Sequence, residues 1–61
     1  MIEAFIYLFF LDGEPVTLKY EDVFKTKEEC TALVVVDAPN IAVIAGAVGF
    51  AYECIAPGVA A

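Results

Sequence analysis

Two cysteines, Cys30 and Cys54, and three close carboxylate pairs are the groups in this chain able to do chemistry. The pairs are Asp12/Glu14, Glu21/Asp22 and Glu28/Glu29. Thiols can act as nucleophiles, redox partners or metal ligands. Carboxylate pairs can do acid–base work when a cleft shields them. Neither role has support here. Histidine is absent, which removes the usual general base and the commonest metal ligand. Two cysteines alone do not make a zinc site, and neither sits in a CxxC motif. A chain of 61 residues leaves little room for a shielded pocket. The sequence therefore points away from an enzyme and calls for no cofactor or metal.

Composition narrows the class further. The chain is one domain, residues 1–61, and apolar types make up 62% of it. Mean hydropathy is +0.84, well above the ordinary soluble range. Chains of this size bury only about 60% of their unfolded surface and are marginal alone. Such domains add a bridge, a metal or a subunit interface. Nine acidic residues against three lysines give a net charge of −6. That balance opposes nucleic-acid binding, which needs cations to displace phosphate counterions. It opposes an anionic membrane surface for the same reason.

The elements that must position these groups follow from patterning. Ile2–Leu11 is apolar on both faces of any strand it forms. With Glu3 and no basic flank, it reads as a strand and not a signal peptide, which leaves the chain in the cytoplasm. Asp12-Gly13 is a turn signal, extended by Pro15. Val16–Glu21 alternates cleanly and reads as an antiparallel strand with one wet face. Thr26-Lys27-Glu28-Glu29 is a capping box, so a helix starts at Lys27 with Cys30, Leu33 and Val34 at helical spacing. The helix is expected to reach about Val36 and break or kink at Pro39. A second helical segment then runs to about Ala45. Val34-Val35-Val36 keeps an all-β alternative open. Ile41–Tyr52 is too short for a membrane span. Val48–Ala56 reads as a third strand, with Val48, Phe50, Tyr52 and Cys54 on one face and Ala51, Glu53 and Ile55 on the other. Residues 57–61 read as a frayed tail.

Chain direction then sets the topology. The first strand runs up, the second down, the helical region up and the third strand down. The third can pair antiparallel only with the first. The expected fold is α+β, a two-layer ββαβ with sheet order 2-1-3 and one helical layer. Cys30 and Cys54 meet at the lower end. Separate buried thiols and a disulfide closing helix onto sheet both fit that position. The aliphatic set Ala4, Ile6, Leu8 suits the helix, so Phe5, Tyr7 and Phe9 should face outward. Lys19, Glu21 and Glu53 rim them. An aromatic centre with a charged rim is interface anatomy.

This plan resembles a loose class of short bacterial and phage open reading frames. They share an apolar opening strand, a DG-type turn, a Phe-x-Thr-x-Glu-x-Cys helix start and a second Cys in a closing strand. Here those residues are Asp12-Gly13, Phe24-Lys25-Thr26-Lys27-Glu28-Glu29-Cys30 and Tyr52-Glu53-Cys54. The resemblance implies no enzymatic activity. A phage origin would point to a protein that binds and disables a host factor.

Three functions fit the residues. The first is an interaction module that associates with itself, as a dimer, through Phe5, Tyr7 and Phe9. The second is an acidic inhibitor that fills a basic site on another protein as a nucleic-acid mimic. The third is a small membrane-associated protein using Ile41–Tyr52.

Overall fold

A computed structural model of the chain describes residues 1–56. The expected tail, 57–61, lies outside the described residues. The order is β1 (Ile2–Phe9), β2 (Val16–Phe24), α1 (Lys27–Ala45) and β3 (Gly49–Ile55). The three strands form one antiparallel sheet in the order β2-β1-β3. The fold is α+β, with α1 covering one face of the sheet. The all-β alternative is not adopted.

β1 takes the middle because its apolar residues occupy both faces. Its alternate members Ile2, Ala4, Ile6 and Leu8 are buried under the helix. From α1 they meet Cys30, Val34, Ala38 and Ala42, a stripe of i, i+4 positions. Alanine at 38 and 42 lets the helix axis come close to Ile6 and Leu8 on the sheet. Leu33 belongs to the exposed side and not to the core stripe.

The helix is better bounded than the sequence suggests. Thr26 has extended backbone, and its hydroxyl accepts from the Glu29 amide at 3.1 Å. At the other end Gly46 takes φ 78°, a left-handed cap that glycine adopts at no steric cost. The Gly46 amide donates to the Val43 carbonyl at 3.1 Å and the Ala47 amide to Ala42 at 2.9 Å. This pair of bonds is the Schellman arrangement, and it turns the chain into β3.

Of the break or kink expected at Pro39, the break does not occur. α1 runs unbroken through it. Proline removes the amide that would bond to the Val35 carbonyl. One residue on, the Asn40 side-chain amide donates to the Val36 carbonyl at 3.1 Å. The larger force is tertiary. Ala38 and Ala42 flank Pro39 and are both seated on the sheet. Ending the helix there would lift Ala42 out of the core.

Two strand limits also move. β1 ends at Phe9, not Leu11, and β2 continues past Glu21 to Phe24. The extension follows from a bulge. Phe5 pairs with Lys19 and Glu3 with Val23, so Tyr20, Glu21 and Asp22 stand opposite the lone Ala4. β3 begins at Gly49, where the Val48 amide donates to the Phe9 carbonyl at 2.8 Å.

Candidate functional site

The sheet face away from α1 carries the aromatic residues. Phe5 and Tyr7 are half-buried there and Phe9 is exposed. Strand alternation alone would permit either set to face the helix. The aliphatic set wins because short side chains are needed beneath Ala38 and Ala42. Among the described residues, no element covers the aromatic side.

The pairing register arranges that face in rows. Glu3 is flanked by Val23 on β2 and Ile55 on β3. Phe5 is flanked by Lys19 and Glu53. Tyr7 is flanked by Thr17 and Ala51. Lys19 Nζ lies 3.3 Å from a Glu3 carboxylate oxygen. The Tyr7 hydroxyl donates to the Glu53 carboxylate. That bond, with the adjacent negative charge, raises the Tyr7 pKa above its ordinary value. Both polar contacts run across strands and hold the side chains around Phe5 upright.

Glu21 falls differently from the other rim residues. It sits in the bulge with no β1 partner. With Leu18, Tyr20, Asp22 and Ile41 it borders an open cleft of about 430 Å³ between β2 and α1. Across this cleft the Tyr20 hydroxyl donates to Asp37. The hydrogen bond raises the Tyr20 pKa from 10.0 to about 12. The folded state therefore holds this proton more tightly than the unfolded chain. Its contribution is complete below pH 10 and is lost as pH rises through about 12. In an ultraviolet titration, one phenol should ionise near pH 12, and Tyr20→Phe should abolish that step. A titration unaltered by Tyr20→Phe would place Tyr20 elsewhere.

Cys30 and Cys54 are joined in a disulfide, with Cα atoms 6.2 Å apart. Of the alternatives open in the sequence, the bridge is the one adopted. It ties the first turn of α1 to β3, beside Ala4 on the central strand. The carboxylate pairs are not gathered on one surface. Asp12/Glu14 belong to the β1–β2 turn, while Glu21/Asp22 and Glu28/Glu29 lie toward the other end of the sheet. Among the described residues no group of three or more Cys, Asp or Glu side chains could hold a metal ion.

A second apolar surface lies on the helix and overlaps the Ile41–Tyr52 segment. The outer side of α1 exposes Leu33, Val36, Val43 and Ile44, the last two at 77% and 86%. Its signal was present in the sequence. The helical segment is apolar around most of its circumference, so one sheet could bury only part of it. Among the described residues no helix is long and apolar enough to cross a membrane.

The open face is thus an aromatic floor with oriented charges on both sides. No family model, curated protein or solved structure matches the chain.

Proposed function

We propose that this chain is a non-enzymatic protein–protein interaction module that associates with a second copy of itself through the open sheet face. The observation that carries this reading is the row of Phe5, Tyr7 and Phe9 on a face that no element covers among the described residues. Aromatic residues at the centre of a patch, with charges at its rim, form the anchors of interfaces. The chain is also too small to bury all its apolar surface alone. The reading extends to a phage-encoded inhibitor of a host factor, on the strength of the resemblance above.

A cytoplasmic setting belongs to this reading, but the disulfide fits an oxidising compartment better. The bare outer face of α1 favours membrane association as a second reading.

The test is the mass of the protein in solution. Light scattering should report a dimer for the wild-type chain and a monomer, or an insoluble product, for Tyr7→Glu and Phe9→Glu. An unchanged mass in both variants would remove the sheet face as the interface. Co-sedimentation of the wild type with zwitterionic vesicles would favour the second reading.

A further inference from the structure

We infer that the two copies stack face to face about a two-fold axis running along β1, so that Lys19 of each copy pairs with Glu53 of the other. The inference rests on the proposed self-association and adds its orientation. It comes from the register of the open face. Lys19 and Glu53 both pair with Phe5, so they stand level on opposite sides of the central strand. A two-fold axis along β1 lays the β2 side of one sheet over the β3 side of the other. Each row then meets its own reverse.

The consequences run along the whole face. In the Phe5 row, Lys19 meets Glu53 twice, once on each side of the axis. In the Glu3 row, exposed Val23 meets exposed Ile55, which is apolar on apolar. In the Tyr7 row, Thr17 meets Ala51, both small enough to let the tyrosines approach. Facing sheets pack about 10 Å apart. Lysine and glutamate stems reaching from opposite sides can close that gap. Glu3 meets its own copy on the axis, as Phe5 and Tyr7 do, and in each copy Lys19 lies 3.3 Å from the Glu3 carboxylate and offsets that repulsion.

The other two-fold axis that keeps the strands of the two sheets aligned runs across them. It lays β2 over β2 and β3 over β3. Lys19 then lies on the same side as its own copy, and Glu53 likewise. Like charges gather on both sides and the Val23–Ile55 match is lost. Charge complementarity fixes register and orientation in this way, because wrong juxtapositions repel.

The experiment is a charge swap read by sedimentation equilibrium at low salt. Lys19→Glu and Glu53→Lys should each weaken the dimer about tenfold, because each turns two attractive pairs into repulsive ones. The double variant Lys19→Glu/Glu53→Lys should return to within about threefold of wild type. A mixture of the two single variants should form heterodimers more tightly than either associates alone. Single variants that dimerise like wild type would overturn the orientation, as would a double variant weaker than both.

Should a charge variant fail to fold, cross-linking replaces it. Thr17→Cys mixed with Ala51→Cys should be joined by a bismaleimide of about 10 Å reach. Thr17→Cys linking to itself would instead place the axis across the strands. Tyr7→Glu keeps the two levels apart. If it yields a monomer while the swaps fail, the face stands and the orientation falls. If it leaves the mass unchanged, the sheet-face reading itself falls.

Discussion

Removing the disulfide, as Cys30→Ala/Cys54→Ala or by reductant, should lower the melting temperature by roughly 12–24 °C. The estimate starts from the 24-residue separation that the bridge closes. Tying the unfolded chain at that spacing contributes about 3 kcal/mol in the chain-entropy model. Net stability for a domain of this length is on the order of 3–9 kcal/mol. The bridge is thus a third or more of the total. Each kcal/mol moves the midpoint by about 4–8 °C at this size. Alanine is the right replacement, since Cys30 is fully buried and serine would bring an unpaired hydroxyl into the core. Thermal melts with and without reductant, followed by circular dichroism, measure the effect. Coincident melts would mean that α1 docks without its covalent tie.

The second large effect is expected at Ile6. Ile6 lies at the middle of the central strand and is 1% exposed. It is flanked by Leu18 and Tyr52 and roofed by the helix. Ile6→Ala leaves a void that β1 cannot close, because strands pin it on both sides. The cost should be about 2–5 kcal/mol in urea unfolding. Set against the stability above, that is enough to unfold much of the population if the total lies toward the lower end of its range. Ile44→Ala removes the same chemistry from an 86% exposed position and should change stability by under about 0.5 kcal/mol. Equal losses at the two sites would mean that the outer helix face is covered in solution.

Local chemistry made much of this fold legible. Asp12-Gly13 announced the turn, Thr26 with Glu29 announced the helix start, and apolar residues on both faces marked β1 as central. The outward placement of Phe5, Tyr7 and Phe9 followed from asking which set could fit beneath a helix. Three features were less legible, and each depends on contacts distant in sequence. Pro39 obeys a local rule for ending helices, but the seats of Ala38 and Ala42 on the sheet override it. The bulge at Tyr20–Asp22 answers a mismatch between β2 and β1 that no turn residue signals. Apolar residues all round α1 announce that some side must stay bare, but which side follows only from the one that binds the sheet. The cysteines stood between: topology could bring them to one end, but only coordinates distinguish neighbours from a bond.

The insertion opposite Ala4 also makes the two rims of the sheet unequal. β2 ends its regular ladder at Lys19, and three charged groups crowd its lower half: Lys19, Glu21 and Asp22. Such a rim repels an incoming strand. β3 offers seven unbroken residues with Glu53 as their lone charge. Among the described residues, β3 is therefore the flank more open to a foreign peptide, or to runaway stacking in a concentrated solution.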